Sequence, residues 1–282
     1  ENATLEQIES ARARLGLDKP LPVQYGIFIR DVLHGNFGKS YIYGKPAMDL
    51  IFERMPATLE LVAVAACLVL CIAIPLGVYA GAYPKRASSK LIMSGSILGI
   101  SLPSFWVGMM MIYIFAVVLR LLPASGRGNT VMVGNVALSI FAPGGIRYVI
   151  LPAITLALTN VATMLRLTRS GILENMRQDY IKFARAKGVP AKSILFGHAL
   201  KNALIPVVTI FGMDLGNMIA FTTITETIFA WPGMGKLLID AINKSDRPII
   251  VAYLMAAACM FVVLNFIVDI LYTLIDPRIE LR

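Results

Sequence analysis

Uncharged apolar stretches alternate with short polar segments along most of this chain. Five of these stretches are long enough to cross a bilayer, which takes about 20 residues of helix. Strands of a membrane barrel would be about ten residues long and would alternate polar and apolar positions, and these stretches do neither. The pattern predicts an all-α integral membrane protein with spans at about residues 58–84, 91–122, 148–168, 202–226 and 248–275.

The composition changes how the charge is interpreted. Of 282 residues, 57% are hydrophobic and 15% are charged, whereas a soluble domain has about 45–50% and 25%. The net charge of +9 would indicate a nucleic-acid partner on a soluble chain. Here residues 84–90 contribute +3 and residues 166–201 contribute +6, so the rest of the chain sums to zero. We therefore expect a lipid bilayer around the chain and no nucleic-acid partner.

Lysine and arginine in the loops predict the orientation, because cytoplasmic loops carry an excess of both. With five spans the loops alternate sides. One side holds 13 Lys or Arg in about 51 loop residues, and the other holds 13 in about 108. We therefore place the loop at 169–201 in the cytoplasm and residues 1–57 outside. An external start requires an earlier crossing, so we expect a sixth helix, the first of the fold, upstream of this sequence.

Residues 1–57 are too polar to cross the bilayer, with seven Lys or Arg against seven Asp or Glu. Their pattern predicts amphipathic helices at 4–15, 22–34 and 46–55, the last leading into the first span.

The cytoplasmic loop contains a short basic helix that ends at a glycine. Tyr180, Phe183 and Ala184 can share one face of it, and Pro190 is placed to begin the next helix. Such a helix could dock into a groove of a cytoplasmic partner and transmit its movement. The alternative is a solvated, positively charged loop. The residues that would engage a partner are Asp179, Tyr180, Phe183, Ala184, Arg185, Ala186, Lys187 and Gly188.

This segment resembles the EAA loop of ABC-importer permeases, in the form found in the oligopeptide, dipeptide and nickel branch. Residues 179–188 read Asp-Tyr-Ile-Lys-Phe-Ala-Arg-Ala-Lys-Gly, and residues 198–206 read His-Ala-Leu-Lys-Asn-Ala-Leu-Ile-Pro. The chain departs from the pattern at Lys182, where the general consensus has Glu, and at Phe183, where small residues are usual. These departures affect any salt bridge of that glutamate and leave the docking helix unchanged. Seven further stretches resemble the same branch in the same order, at residues 15–21, 35–38, 102–106, 122–126, 151–153, 226–235 and 276–278.

The resemblance implies a type I ABC importer permease fold with six helices per subunit, in the bacterial inner membrane. Residues 1–57 would be an external segment and residues 58–282 the permease domain. The implied partners are a second homologous permease subunit in a heterodimer, two ATP-binding subunits and an external binding protein. We expect that protein to dock at Trp231, Pro232, Gly233 and Gly235. The expected cargo is a di- or oligopeptide delivered by alternating access, with nickel chelates, glutathione or opines as alternatives.

One span carries a charge near its middle, which is costly in a bilayer and usually faces a cavity or a partner. Asp214 lies three residues before Asn217 on one helical face, which Met218, Phe221 and Thr225 can extend. This face is our predicted lining of the translocation path. The alternative is a structural bridge to another helix, for instance in the partner subunit.

The sequence offers little for catalysis or for a cofactor. His34 and His198 have no ligand at helical spacing, and the three cysteines lie in apolar runs, which predicts core positions for them. Two glycine-containing stretches, 35–40 and 232–236, lack the spacing of a phosphate loop. We therefore expect no catalytic residue, no metal and no cofactor on this chain. An intramembrane enzyme would need a nucleophile and a base at membrane depth. An ion channel would need a symmetric filter segment. The sequence shows neither motif.

Overall fold

A computed structural model describes residues 19–275, without the side chains of residue 269 and of residues 271–275. The helix expected at 4–15 and the stretches at 15–18 and 276–278 lie outside the described residues. The helices are α1 (Leu21–Leu33), α2 (Ala47–Ala82), α3 (Ala87–Ser101), α4 (Ser104–Met111), α5 (Ile146–Asn175), α6 (Asp179–Ala186), α7 (Ala191–Ser193), α8 (Leu200–Ile228), α9 (Met234–Asn243) and α10 (Arg247–Ile275).

Two π-helical segments continue these helices, Ile112–Val118 after α4 and Ile194–Ala199 before α8. A short antiparallel hairpin joins β1 (Val131–Val133) to β2 (Val136–Leu138), with Val131 opposite Leu138.

The described residues contain four helices that are long and apolar enough to span a membrane. They correspond to α2, α5, α8 with the turn before it, and α10. A bent pair, α3 with α4 and its π-helical extension, makes a fifth candidate span. This agrees with the expected all-α membrane class.

The second expected span is not one continuous helix. The predicted stretch 91–122 is broken between α3 and α4, whose axes differ by 105°. Proline disfavours the helical conformation of the residue before it, and Leu102, before Pro103, has an extended ψ of 131°. A single helix through 91–122 was therefore wrong, and the break opens space beside the neighbouring helices.

The separate helix expected at 46–55 merges with the first span. Helix α2 runs without interruption through Pro56 and Pro75. Proline removes one backbone hydrogen bond from a helix, but buried residues on both sides of Pro56, Ile51 and Leu61 among them, keep the helix packed. The polar start of this helix is therefore rigidly continuous with its membrane part.

The centre of the fold is the contact between α2 and α5, which small residues bring close together. A Cβ atom added at Gly77 would lie 2.6 Å from Cβ of Thr168, and one at Gly81 would lie 2.7 Å from Cβ of Ile172. Lipid tails are as apolar as the side chains, so no hydrophobic effect drives membrane helices together. They associate through close packing, which small residues allow.

The cysteines do not belong to this core. Cys67, Cys71 and Cys259 are all exposed on the described chain. Helix α2 turns its Ala65, Val69 and Ala73 side toward the core, which leaves the cysteine side outward. The core positions predicted for them were wrong.

Candidate functional site

A polar cavity of about 300 Å³ lies where the broken helix pair meets α5 and α8. Helix α4 contributes Ser104, the first residue after the break, and α5 and α8 contribute the rest. All five residues predicted to line a translocation path are present. The lining residues are Ser104, Thr155, Leu156, Thr159, Asn160, Thr163, Asp214, Asn217, Met218, Phe221 and Thr225.

Asp214 lies at the middle of this arrangement. It stands 14 residues from either end of α8, or about 21 Å at a rise of 1.5 Å per residue. Asn217, one turn further along the helix, lines the same cavity. In the described part of the chain no lysine, arginine or histidine forms an ion pair with Asp214. The carboxylate therefore faces the cavity with only neutral partners.

The other predicted lining residues divide between floor and rim. Met218 is 1% exposed and Thr225 is 2% exposed, so these two form the floor. Phe221 is 62% exposed and Asn217 is also exposed, so these two form the rim. The cavity thus combines the carboxylate of Asp214, the buried thioether of Met218 and the exposed ring of Phe221.

The predicted basic helix is present as α6, from Asp179 to Ala186. Gly188 follows it with φ of +79°, a left-handed conformation that glycine adopts without strain. Pro190 caps the next turn and is not its first residue, because its ψ of 142° is outside the helical range. The expected stop at Gly188 is therefore present, and the restart lies one residue later than predicted.

The faces of α6 differ from the prediction in one respect. Ile181 is fully buried against Ile172, Ile194 and Ala203, with Ala184 packed beside it. Tyr180 and Phe183, expected to share a face with Ala184, are exposed. Helix α6 is therefore anchored through Ile181 and presents its aromatic side chains outward.

The Tyr180 hydroxyl ties three helices together. It donates a hydrogen bond to Oδ1 of Asn175 at 2.8 Å and accepts one from Nδ2 of Asn202 at 3.0 Å. Asn175 in turn donates to the carbonyl of Gly171 at 2.8 Å. We call Tyr180, Asn175 and Asn202 the tyrosine clasp; it joins the end of α5, the start of α6 and the start of α8.

Two contacts organise the charges on the surface of α6. Lys182 donates a hydrogen bond to Asp179 at 2.8 Å, and this bond and the lysine charge hold the pKa of Asp179 below its usual value. The ammonium of Lys187 lies 4.5 Å from the centre of the Phe183 ring, a cation–π contact. Both pairs are local and exposed, so α6 keeps an accessible basic and aromatic surface.

The motif at 226–235 is placed differently from the prediction. Trp231 is fully buried, and Nε1 of its indole donates a hydrogen bond to the carbonyl of Ala57 at 2.9 Å. Gly233 and Gly235 are also buried, and only Pro232 of the four predicted docking residues is partly exposed. The packing of α2, α8 and α9 encloses the three buried residues, so the exposed surface of this motif consists of Pro232 and the groups around it.

These buried residues surround Glu226, which caps α9. Oε1 of Glu226 accepts a hydrogen bond from the Thr58 hydroxyl at 2.6 Å, and Oε2 accepts one from the backbone N–H of Lys236 at 2.9 Å. The N–H of Met234 donates to the Thr58 hydroxyl at 2.9 Å. The first N–H groups of a helix lack partners within it and favour a negative charge nearby. A Cβ atom at Gly233 would collide with this carboxylate.

A second buried carboxylate holds the loop that precedes α5. Oε2 of Glu60 accepts hydrogen bonds from Nε of Arg127 at 2.9 Å and from Nη2 at 2.5 Å. Oε1 accepts the N–H groups of Ser139 and Ile140, both at 2.6 Å. The Arg127 guanidinium lies 5.6 Å from the centre of the Trp231 ring. Glu60 therefore joins α2 to the loop that carries the hairpin.

Five residues that organise these contacts are absent from the residues predicted from the sequence, namely Thr58, Glu60, Arg127, Asn175 and Asn202. Asn202 lies inside the stretch 198–206, and Arg127 directly follows the stretch 122–126. Their positions in motifs could have marked them as structural. Among the described residues, no group of three or more His, Cys, Asp or Glu side chains could hold a metal ion.

Comparison with known proteins gives close relatives over most of the chain. A family model described as binding-protein-dependent transport system inner membrane component matches residues 73–281. The dipeptide transport system permease protein of Alkalihalophilus pseudofirmus is 37% identical over 292 residues, which cover 99% of this chain and 88% of that protein. The oligopeptide transport system permease protein of Bacillus subtilis is 40% identical over 268 residues, which cover 95% and 83%.

Solved structures resemble the chain at lower identity. A chain of the MetNI methionine ABC transporter, in an inward facing conformation, superposes with a TM-score of 0.62 at 16% identity, covering 81% of this chain and 97% of that one. A chain of an amino acid ABC transporter superposes with a TM-score of 0.52 at 14% identity, covering 82% and 94%. At these identities the likeness concerns the fold.

Proposed function

Because the chain belongs to the family of binding-protein-dependent transport system inner membrane components, we propose that it forms one half of the membrane pathway of an ATP-driven importer of di- or oligopeptides. The family and the type I permease fold implied by the sequence resemblance are both confirmed. The chain is an inner-membrane permease subunit and not an enzyme. The peptide class rests on the two named relatives, which match it almost from end to end.

The polar cavity around Asp214 is the observation that best supports a translocation path through this subunit. It lies about 21 Å from either end of α8, and one of its walls is the break between α3 and α4. Transporters commonly form their binding sites near the midplane, where helices are interrupted. We assign this cavity to the translocation path, which would open to one side of the membrane at a time.

The surface of α6 supports contact with the ATP-binding subunits. The excess of Lys and Arg at 166–201 favours a cytoplasmic position. Ile181 and the tyrosine clasp fix α6 to α5 and α8, while Phe183, Arg185 and Ala186 remain exposed. A displacement of α6 by a docked ATP-binding subunit would therefore move both helices that line the cavity.

The remaining proposed partners are a second homologous permease subunit, making a heterodimer, and the external binding protein. Since Trp231, Gly233 and Gly235 are buried, docking must use exposed groups near them. A concave site of about 110 Å³ beside Pro232 has Arg54 in its lining. Arg54 forms no ion pair among the described residues. We place a carboxylate of the binding protein there.

The replacement of Ala186 by Glu tests the function. Ala186 is exposed on α6, so the substitution leaves the fold intact and puts a charge and extra volume into the proposed contact. In membrane vesicles containing the complete transporter, ATP-driven uptake of labelled dialanine should fall more than about tenfold, an energetic change of about 1.4 kcal/mol or more.

The matched control is Ala124→Glu, an exposed alanine on the opposite side of the proposed membrane. It should retain uptake within about twofold, since a surface substitution there costs little. Both proteins should reach the membrane in equal amounts, measured by immunoblot. Uptake by Ala186→Glu equal to that of Ala124→Glu would reject α6 as the coupling helix. Failure of the unmodified transporter to take up any peptide would reject the peptide class.

A further inference from the structure

Asp214 needs a cation, and the described residues of its own subunit do not supply one. A carboxylate at membrane depth is costly unless it has a counter-charge. The residues that line the cavity include no lysine, arginine or histidine. Asn217, which lines the cavity beside Asp214, is neutral. The missing charge must therefore come from a molecule that enters the cavity or from another subunit.

Two of the hydroxyl groups around the cavity are arranged to accept hydrogen bonds. The Thr155 hydroxyl donates its proton to the carbonyl of Leu151 at 2.9 Å, and that of Thr163 donates to the carbonyl of Thr159 at 3.2 Å. A hydroxyl has one proton to donate and two lone pairs. With the protons engaged inside α5, these oxygens can only accept, and with Asp214 they form an acceptor-rich lining.

The cavity also has room and an adaptable apolar wall. Its volume of about 300 Å³ is at the lower end of the range of about 300–1,000 Å³ for ligand pockets. Leu156, Met218 and Phe221 supply the apolar part of the lining. Methionine is flexible and fits side chains of differing shape. The site can therefore take one or two residues of a chain whose side chains vary.

We propose that this cavity binds the terminal ammonium group of the peptide during translocation, with Asp214 as its counter-charge. An ammonium carries three N–H donors and no acceptor, which matches a cavity that holds a carboxylate and two hydroxyls that only accept. The adjoining apolar wall would receive the first side chain without selecting among side chains. This inference rests on the proposed function, and it makes the permease itself a second point at which the substrate is recognised.

The test measures the electrostatic preference of the cavity in the complete transporter in membrane vesicles. A cysteine is introduced by Thr159→Cys, at an exposed residue of the lining. Its rate of reaction with a cationic thiosulfonate reagent that carries an ethylammonium group is compared with its rate with an anionic thiosulfonate reagent that carries a sulfonatoethyl group. The native cysteines are first replaced by alanine, namely Cys67, Cys71 and Cys259.

The cationic reagent should react about tenfold faster than the anionic one, and adding Asp214→Asn should remove most of that preference. Dialanine should slow the reaction, whereas N-acetyl-dialanine at the same concentration should not. The matched control is Thr130→Cys in an exposed loop, where Asp214→Asn should leave the ratio of rates unchanged.

A ratio at residue 159 that is the same with and without Asp214→Asn would overturn the proposal, because the charge would then be neutralised by a partner subunit. Equal protection by dialanine and its N-acetyl form would also overturn it. Uptake separates this failure from that of the proposed function. If the transporter with unmodified Asp214 accumulates dialanine but shows no cation preference, only the ammonium site is wrong.

Discussion

The buried pair between Glu60 and Arg127 gives a stability prediction whose size follows from its contacts. The Glu60 side chain is 2% exposed and that of Arg127 is 10% exposed. Replacing Glu60 by Gln keeps the shape and an oxygen for the N–H groups of Ser139 and Ile140, but it turns an amide donor toward the guanidinium. Removing one partner of a buried ion pair costs about 3–5 kcal/mol, because the other charge stays buried without compensation.

The assay is the thermal midpoint of the assembled transporter in detergent, followed by size-exclusion chromatography with a fluorescent tag on this subunit. At about 2–4 °C per kcal/mol for domains of similar size, Glu60→Gln should lower the midpoint by on the order of 10 °C. The matched control is Glu53→Gln on the same helix. Glu53 pairs with Lys45 at 2.8 Å, but both side chains are more than half exposed, so its loss should cost about 0–1 kcal/mol.

A second variant separates burial of the charge from loss of packing. Adding Arg127→Met to Glu60→Gln removes the uncompensated guanidinium, so part of the midpoint should be recovered. Small and equal shifts for Glu60→Gln and Glu53→Gln would refute the reasoning, because they would mean that water reaches the Glu60 pair as freely as the surface pair.

Two further predictions concern coupling and docking. Tyr180→Phe removes both hydrogen bonds of the tyrosine clasp, each worth about 0.5–1.5 kcal/mol, so peptide uptake should fall several-fold at an unchanged amount of transporter. The control is Tyr25→Phe, at an exposed residue. Equal uptake by the two variants would argue against a role of the clasp in transport. For Arg54→Glu, the concentration of binding protein that half-saturates uptake should rise about tenfold. For Arg147→Glu, at an exposed arginine, this concentration should not change. An unchanged concentration for Arg54→Glu would reject the docking site.

The sequence was sufficient to find the features that repeat along a helix. Asp214, Asn217, Phe221 and Thr225 were placed on one face from their spacing alone, and all of them line the same cavity. The end of α6 was likewise predicted from Gly188. In both cases the neighbours that matter are a few residues apart, so helical geometry determines their relation.

Features that depend on distant partners could not be found in this way. The two residues of the Glu60–Arg127 pair are separated by 67 positions, and Thr58 and Glu226 by 168. A single sequence contains no signal for which partners these side chains select. The burial of Trp231 was missed for the same reason, since its motif indicated importance but not whether the importance is a partner contact or internal packing.

The tyrosine clasp holds the first turn of α8, and this has a consequence for the middle of that helix. Asp214 stands 12 residues along the helix from Asn202, a lever arm of about 18 Å. A tilt of about 6° about the clasp would displace the Asp214 carboxylate by about 2 Å, enough to turn a hydrogen bond of about 2.8 Å into no bond at all. Release of a group bound at the centre of the membrane would thus require only a small rotation of α8 about the clasp. This holds if α8 moves as a rigid body between the clasp and Asp214.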